Sequence, residues 1–411
     1  MKAFLQFLQR AFKYFRNTKR VWRRPPRASL LIIDRGTASP LDEMFAHHNP
    51  HIVEIRGESV NMLALLRALP KIHLGAVAYL EAYIDFVKPQ LILSRTDNNH
   101  TLWQLKRRPN VTYKVALIQN GWRPEHFGAS TIFNYYQGKI RIPEIDFAFV
   151  FGLAQCDKNL KYFCRNIVVN GSSKLNELML INNKESSIDL LFISEYRTKD
   201  MRVNPTFYRV DESVLSYVAK FVSKNNIKIE VAGVMEDDLG SSEELKWFGE
   251  YFSGLDWKFH RRNFDSSSYE LVELSKMVVT VDSTMGYECL AVRKKVAMLT
   301  CRKVERWSGY EEVFENMLRN QTESSIKNVA VDSIANRFGA SFKFEETGFF
   351  WSNIESTDEF ERVLSNVFHA SEAEFETISR PIADQLMVHD FGNTKIRAYV
   401  EGILTDSLES K

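Results

Sequence analysis

The sequence predicts an α/β protein with two Rossmann-like domains that face a cleft. From Ser29 onward, short apolar runs rich in Val, Ile and Leu alternate with longer segments of helical spacing, a pattern typical of doubly wound parallel sheets. A polar stretch at residues 182–187 interrupts the alternation, which then restarts. At 411 residues the chain is too long for one ordinary domain. A cleft between two such domains is the expected ligand site.

The first domain is predicted at residues 29–183. Its apolar runs are as short as strands and rich in β-branched residues, as expected for strands buried on both faces. Strands are predicted at 30–33, 52–55, 91–93, 115–118, 147–151 and 167–169, with helices at 60–69 and 74–87.

The second domain is predicted at residues 184–345, where the same alternation recurs. Strands are predicted at 190–193, 227–231, 257–259, 278–281 and 296–299, with helices at 214–222, 243–252 and 269–274. Residues 346–411 are predicted to form C-terminal helices, clearest at 357–368 and 394–404, that pack back across both domains.

Composition limits the class of protein. Hydrophobic residues make up 45% of the chain and charged residues 26%, as in globular proteins. No apolar stretch reaches the roughly 18 residues that cross a bilayer. The four cysteines lack the paired spacing of a zinc site or a disulfide framework. We therefore expect reduced thiols and a cytoplasmic location.

Residues 1–28 form a basic aromatic arm, because nine Lys and Arg residues precede the first acidic residue, Asp34. Apolar side chains recur at near-helical spacing at Phe4, Leu8, Ala11 and Phe15. The arm is predicted to be an amphipathic helix on an anionic membrane surface, separated from the fold by Pro25 and Pro26. A helix packed on the first domain is the main alternative. A nucleic-acid-binding arm is the least favoured one, and no nucleic-acid partner is expected.

The most informative segment is the strand end at Asp282, Ser283 and Thr284, which leads into a helix-compatible segment at 285–292. The first turn of that helix presents hydroxyls, backbone N–H groups and Gly286. A helix N-terminus favours a phosphate, and ligands of open α/β sheets bind beyond the carboxyl ends of the strands. The alternative is a Ser/Thr cap with a purely structural role.

Polar groups also follow the other strands of the second domain, and parallel strands place all of these ends along one edge. The edge carries three kinds of group: N–H and hydroxyl groups that can donate to phosphate oxygens, cationic side chains, and carboxylates. A nucleotide-sugar substrate requires all three. Glu288 is a candidate for binding a sugar hydroxyl or for capping a strand, and His260 for donating a proton to the leaving phosphate. The remaining candidates are Ser194, Glu195, Gly233, Asp237, Asp238 and Arg261.

In the first domain, Asn98 and the group Gln119, Asn120 and Arg123 follow strands and suit recognition of hydroxyl-rich ligands, although Asn-Gly also favours a simple turn. Three histidines, His47, His48 and His51, are predicted to be surface or structural residues because no carboxylate lies at ligand spacing. No Walker loop, GxGxxG after the first strand, or GxSxG occurs. No metal site is predicted.

With these segments assembled, the chain resembles bacterial surface carbohydrate (surface polysaccharide) biosynthesis proteins, which look like glycosyltransferases of the two-Rossmann GT-B type. The block DSTMGYE with KKVA, inside residues 278–298, is the most specific match. The other matching stretches are LEAYIDFVKPQLILSRTDNN, ALIQNGWR, LLFISEYR, GFFWSN and HDFGN.

A weaker resemblance links the chain to retaining Kdo transferases that use CMP-Kdo. It implies that Ser283 and Thr284 hold the nucleotide phosphate and that an acidic residue of the C-terminal domain is the nucleophile or base. Four acids remain open for that role: Glu195, Glu230, Asp237 and Asp238. The histidine–proline pair of some CMP-sugar enzymes is missing, since Arg261 follows His260.

These resemblances imply a metal-independent glycosyltransferase of capsule or O-antigen assembly, acting at the inner face of the cytoplasmic membrane without a cofactor. It would transfer a sugar, with CMP-Kdo the first choice of nucleotide-sugar donor, to a lipid-linked glycan. A nucleotide-sugar epimerase or polyol-phosphate transferase on the same fold is one alternative, and a non-catalytic assembly factor is another.

Overall fold

The computed structural model describes residues 18–106, 108, 110–122, 145–156, 164–178, 186–196, 205–263, 267–301 and 345–409. The chain divides into two compact units. Unit 1 comprises residues 1–120, 126–178 and 389–411, and unit 2 comprises residues 121–125 and 179–388. Within the described residues, no helix combines the length and hydropathy needed to cross a membrane.

Unit 1 contains a six-stranded parallel sheet in the order β3-β2-β5-β6-β7-β8, and a separate parallel pair, β1-β4. Its strands are β1 Lys19–Val21, β2 Leu30–Ile33, β3 His51–Val53, β4 Ser59–Asn61, β5 Leu91–Ser94, β6 Lys114–Ile118, β7 Ile145–Val150 and β8 Cys164–Val169. Its helices are α1 Leu41–Met44, α2 Met62–Ala68, α3 Ala76–Val87, α4 His100–Trp103 and α5 Ser173–Glu177. The central strands β2 and β5 are fully buried, as their uninterrupted apolar sequences predict.

Unit 2 contains a five-stranded parallel sheet in the order β11-β10-β9-β12-β13. Its strands are β9 Ile188–Ile193, β10 Ile229–Ala232, β11 Trp257–His260, β12 Ser275–Thr280 and β13 Val296–Met298. Its helices are α6 Pro205–Asn225, α7 Asp238–Phe252, α8 Ser267–Leu274, α9 Thr284–Ala291, α10 Thr357–His369 and α11 Glu372–Leu386. The prediction of two doubly wound α/β units is confirmed.

Pro25 and Pro26 predicted that the basic arm is separated from the fold. The structure shows instead that part of the arm is packed into unit 1. Residues Lys19–Val21 form β1, which pairs in parallel with β4. The Asn61 side chain donates to the backbone oxygen of Arg23 at 2.8 Å, and Ala28 N–H donates to Val87 O at 3.2 Å. The second half of the arm is therefore part of unit 1. The predicted helix before it lies outside the described residues.

The C-terminal helices divide between the units. Helices α10 and α11 belong to unit 2, whereas the last helix, α12 Thr394–Glu409, belongs to unit 1. Its buried residues Ile396, Val400 and Leu404 recur every four positions and pack in one core cluster with strand residues such as Ile32. Helix α11 lies within the segment predicted to form helices, residues 346–411, and it contains Pro381 in its interior.

Gly286 allows α9 to lie close to the sheet of unit 2. A Cβ added at this position would lie 2.6 Å from Cγ2 of Thr280 and 3.0 Å from Cε of Met298, closer than packed atoms tolerate. These neighbours belong to β12 and β13. Gly286 is thus required by packing, which fixes where the helix begins above the strand ends.

We predict that Gly286→Ala lowers the free energy of unfolding by about 1–3 kcal/mol through overpacking. The matched control is Gly402→Ala in α12, where an added Cβ meets nothing within 4 Å. That change should raise stability by up to about 1 kcal/mol through helix propensity. Urea unfolding of both variants tests the pair, and equal effects would contradict the close packing at Gly286.

Candidate functional site

The candidate site lies where the strand order of unit 2 reverses. Strands β9 and β12 are neighbours, and the chain adds β10 and β11 on one side and β13 on the other. In such sheets the crevice at the reversal point, beyond the carboxyl ends of the strands, is the usual ligand site. The backbone N–H of Asp282, after β12, donates to Oε2 of Glu195, after β9, at 3.2 Å. The two strand ends at the reversal are therefore joined directly.

The start of α9 presents the two predicted hydroxyls at this point. Ser283 is the N-cap, and its hydroxyl accepts from the N–H of Met285 at 3.4 Å. The hydroxyl of Thr284 accepts from the backbone N–H of Trp122 at 2.9 Å. Because a hydroxyl that accepts one bond retains a donor proton, Thr284 can still donate to an anion. The orientation of α9 directs its positive end toward the same place.

Trp122, which belongs to unit 2, was not predicted to lie at this helix. Its indole stacks on Tyr287 of α9, with ring centroids 4.0 Å apart and planes inclined by 15°. The indole Nε1 is buried and has no hydrogen-bond partner among the described residues. A buried N–H without a partner is costly, so Nε1 is a candidate donor for a bound molecule. The Asn-Gly turn before it was the only sequence signal.

Of the four acids left open by the sequence, Glu195 is the one at the reversal point. Asp237 caps α7, accepting from the N–H of Gly240 at 2.7 Å. Asp238 is almost fully exposed and pairs with Arg261. Both of these acids, and the predicted phosphate ligand Arg261, are thereby engaged in the β10–α7 turn.

Glu230 and His260 bind each other rather than approaching α9. Glu230 lies within β10, and its carboxylate pairs with His260 Nε2 and, at 2.5 Å, with Lys228 Nζ. Burial acts to raise the pKa of Glu230, but these two partners outweigh it and hold the pKa below its usual range. His260 ends β11, three strand positions from β12, or roughly 14 Å at ordinary strand spacing. The prediction that His260 lies beside the phosphate is not supported by this geometry.

Ser194 and Gly233 support the strand ends instead of facing a ligand. Ser194 donates to the buried carboxylate of Glu244, which also accepts from the N–H groups of Val234 and Met235, each at 3.0 Å. Burial raises the pKa of Glu244. A Cβ on Gly233 would meet the Phe259 ring at 2.7 Å. Glu244 was missed, although it shares the buried stripe of α7 with Phe248 and Phe252 at four-residue spacing.

Glu288 also has a structural partner. Its Oε2 accepts from the hydroxyl of Tyr269 at 2.9 Å, and both side chains are buried. This bond joins α8 to α9. Of the two roles that the sequence left open for Glu288, the geometry favours the structural one.

Unit 1 has its own reversal point, between β2 and β5. Asp34 follows β2 with a φ of 80°, which is rare for a residue with a side chain and marks strain. Its buried carboxylate accepts from Arg56 Nη2 at 2.7 Å and from the hydroxyl of Thr96 at 2.6 Å. The Thr96 hydroxyl lies 2.9 Å from that of Thr37. Of this edge only Asn98, two residues after Thr96, was predicted from sequence, because no motif links Thr96 to Asp34 or Arg56.

The predicted acceptor-side residues have different surroundings in the structure. Asn98 is exposed after β5. The side chain of Gln119 is buried, donating to Gln155 at 3.2 Å and accepting from the N–H of Phe151 at 2.9 Å. The N–H of Asn120 donates to Asp97 at 3.3 Å, and Arg123 lies outside the described residues. Gln119 is thus a core amide, because its neighbouring strands require its hydrogen bonds.

One sequence-based conclusion about the histidines is wrong. No carboxylate was expected near His47 and His48, but the carboxylate oxygens of Glu401 in α12 lie 2.9–3.1 Å from Nε2 of both histidines. His51 is separate and bonds to the hydroxyl of Tyr83 at 2.8 Å. The carboxylate was missed because it lies more than 350 positions away in the sequence.

Comparison with solved structures defines the class of fold. S. aureus MnaA in complex with UDP is similar over 94% of this chain and 97% of its own length, with a TM-score of 0.52 and 10% identity. The UDP-GlcNAc 2-epimerase of Neisseria meningitidis bound to UDP-GlcNAc is similar over 92% and 99%, with a TM-score of 0.52 and 9% identity. The chain therefore has the GT-B fold of two Rossmann-like units.

The family is shown by sequence. The model of a family described as "putative O-antigen biosynthesis protein" matches residues 116–403, well over half of the chain, and the chain belongs to this family. A search of curated proteins finds no match. The predicted resemblance to surface polysaccharide biosynthesis proteins is thereby confirmed at the level of the family and the fold.

We predict that Asp34 makes the stability of unit 1 sensitive to acid. Burial acts to raise the pKa of Asp34, but the bonds from Arg56 and Thr96 outweigh it and hold the pKa below the ordinary 3.8. The unfolded chain therefore takes up this proton at higher pH than the folded one. The stability that ionised Asp34 contributes is fully present above about pH 4 and decreases as the pH falls through the folded pKa.

Urea unfolding between about pH 3 and pH 7 tests this. Asp34→Asn should be less stable than wild type at neutral pH and should lose less stability in acid. Glu54→Gln, which breaks the exposed Arg35–Glu54 pair nearby, is the control and should change stability by less than about 1 kcal/mol. Parallel pH profiles for wild type and Asp34→Asn would contradict the prediction.

Proposed function

We propose that the chain is a glycosyltransferase of bacterial surface polysaccharide biosynthesis, capsule or O-antigen, that binds a nucleotide-sugar on unit 2. The observation that carries the proposal is the arrangement at the reversal point of the sheet. There, the hydroxyls of Ser283 and Thr284, the first N–H groups of α9 and the carboxylate of Glu195 come together. The family and the fold support the same conclusion.

The donor phosphate is assigned to the start of α9. The helix carries a partial positive charge at this end, and the hydroxyls of Ser283 and Thr284 can donate to a phosphate. Trp122 Nε1 is a further donor beside the first turn. Donors fixed before the reaction stabilise the charge that develops on the leaving phosphate. For this reason the proposal needs no metal ion or cofactor at the donor.

Glu195 is the carboxylate assigned to the reacting sugar. In the transfer, an acceptor hydroxyl forms a new bond to the anomeric carbon, the bond from that carbon to the phosphate oxygen breaks, and the nucleotide leaves with the electron pair. Positive charge develops at the anomeric carbon, and a nearby carboxylate stabilises it or accepts the proton of the hydroxyl. The bond from Asp282 N–H holds Glu195 in place for either role.

Two donor classes are supported by different observations. CMP-Kdo remains the first choice implied by the resemblance of the Ser283–Thr284 segment to Kdo transferases. A UDP-sugar is supported by the solved structures of the same fold, which contain UDP and UDP-GlcNAc. Both donors carry an anionic phosphate beside a sugar, so either fits the same helix start.

A nucleotide-sugar epimerase is the second candidate function. A specific observation favours it, because the Neisseria meningitidis 2-epimerase is similar over nearly the full length of both chains. Product analysis separates the two functions. An epimerase changes the free donor without an acceptor, whereas a transferase consumes the donor only with acceptor or with water.

The acceptor is proposed to be a lipid-linked glycan at the inner face of the cytoplasmic membrane. A surface formed by β1, its continuation and α2 supports this, and we call it the arm surface. It exposes Trp22 (61%), Leu66 (51%) and Leu69 (47%). Arg24 and Arg67 both lie over the ring of Phe86, at 5.4 and 5.3 Å, so the arm and α2 are neighbours. Exposed apolar groups among arginines suit an anionic membrane surface.

We predict that the double variant Ser283→Ala, Thr284→Ala loses donor binding while remaining folded. Hydrogen bonds to a charged phosphate contribute about 1.5–3 kcal/mol each, so the dissociation constant should rise at least tenfold. Ser371→Ala is the matched control, because Ser371 caps α11 in the same way, accepting from the N–H of Glu374 at 3.2 Å.

Calorimetric titration with UDP-GlcNAc, CMP-Kdo, UDP and CMP measures the effect. A ligand at one hundred times its dissociation constant also adds about 2.7 kcal/mol of stability, which a thermal-shift assay detects. Wild-type affinity of the double variant for the ligand that binds best would overturn the placement. Failure of the wild type to bind any nucleotide-sugar would overturn the function.

We predict that the full chain binds vesicles that contain phosphatidylglycerol but not vesicles of phosphatidylcholine. Arg23→Glu with Arg27→Glu, both exposed on the arm, should weaken binding at least tenfold, since each basic residue near the surface contributes about 1 kcal/mol. Lys220→Glu with Lys246→Glu makes the same charge change on exposed positions of unit 2 and should bind like wild type. Equal losses of vesicle binding in the two double variants would show that net charge alone controls binding, and would contradict the prediction.

A further inference from the structure

Two adjacent histidines of unit 1 direct the same ring nitrogen toward one carboxylate. His47 Nε2 lies 2.9 Å from Glu401 Oε1, and His48 Nε2 lies 3.0 Å from Oε2 and 3.1 Å from Oε1. The two imidazole rings are close, with centroids 4.2 Å apart and planes inclined by 41°. Side chains of adjacent residues usually diverge, so this convergence is a specific feature of the turn.

Both sides of the cluster are held by the fold. His47 and His48 lie in the short 3-10 turn Ala46–His48, which follows the fully buried Phe45 and ends at Asn49 in a left-handed conformation, φ 48°. Glu401 follows Val400, one of the α12 residues packed in the same core cluster as Phe45. The three donor groups therefore belong to elements that are anchored in one core.

The donor spacing suits a small metal ion. The three groups each offer a ligand atom, and all of these atoms lie within 4.8 Å of one another. Ligands bound to zinc at 2.0–2.1 Å in a tetrahedron are separated by about 3.3 Å. The distances of 2.9–3.1 Å differ from this value by a few tenths of an ångström, which side-chain rotation can supply. His48 has 19% of its side chain exposed, whereas His47 and Glu401 have 58% and 40%, so an ion has access from solvent.

The chemistry of the donors selects the kind of ion. Imidazole nitrogens suit zinc and related transition metals, whereas calcium and magnesium prefer oxygen ligands. Two imidazoles and one carboxylate form a three-ligand set that leaves a fourth position for water.

We propose that His47, His48 and Glu401 form a zinc site that ties the C-terminal helix α12 to the first domain. The site is separate from the proposed donor site, which is on unit 2. Within unit 1, His48 precedes β3, whose first residue His51 pairs with Leu31 of β2. The cluster thus lies at the amino edge of that sheet, opposite Asp34 and Thr96. Its role is to stabilise the position of α12, which goes beyond the transferase activity.

Calorimetric titration of the full, tag-free chain with zinc chloride tests the proposal. We expect one ion per chain, and a rise in the midpoint of thermal unfolding when zinc is present. His48→Ala and Glu401→Gln should each raise the dissociation constant at least tenfold, since even the partners of metal ligands contribute factors of about 10–100. His369→Ala is the control, because this exposed histidine ends α10 in unit 2, and it should bind like wild type.

Cobalt substitution provides a second measurement that needs no variant. Cobalt bound by two imidazoles, a carboxylate and water in a tetrahedron gives intense visible absorption, and added zinc should abolish that absorption. Absence of the absorption in the wild-type chain would overturn the proposal, even if a variant failed to fold. Unchanged zinc affinity in His48→Ala and Glu401→Gln, with circular dichroism like wild type, would also overturn it.

Discussion

The contact between Gly286 and the strands beneath it determines most of what the proposed site can do. Because Gly286 has no Cβ, α9 lies close above β12 and β13. Its first turn then begins at the point where the sheet reverses its strand order. The capping hydroxyls of Ser283 and Thr284 follow from this placement. So does the stacking of Trp122 on Tyr287, which borders the same turn.

Most polar residues around that turn are engaged in holding the strand ends together. Glu244 accepts hydrogen bonds from the loops after β9 and β10, and Glu288 joins α8 to α9. Glu230 forms ion pairs with His260 and Lys228. Burial makes each of these bonds matter, since an unpaired polar group in the interior is costly. The start of α9 and Glu195, which accepts from the N–H of Asp282, lie together at the reversal point.

The sequence predicted the repeating strands well because β-branched apolar runs between helical segments leave few other folds. It also predicted the Ser283–Thr284 strand end, since that signal is local. It failed where a partner is distant in the chain, as for Glu401 beside His48 and Arg56 beside Asp34. It also failed for β1, because three residues of basic sequence carry no strand periodicity. Pairing of this kind is decided by tertiary contacts, which a single sequence does not show.

The pairing of β1 with β4 has a mechanical consequence. Lys19 is hydrogen-bonded into unit 1 through its N–H to Glu58 O at 3.2 Å, so the described part of the arm moves together with unit 1. If the arm surface rests on a bilayer, as proposed, unit 1 would be held at one height above the membrane with one face toward it. An acceptor would then have to reach that height. Short-chain and long-chain acceptors would then differ in reach rather than in affinity.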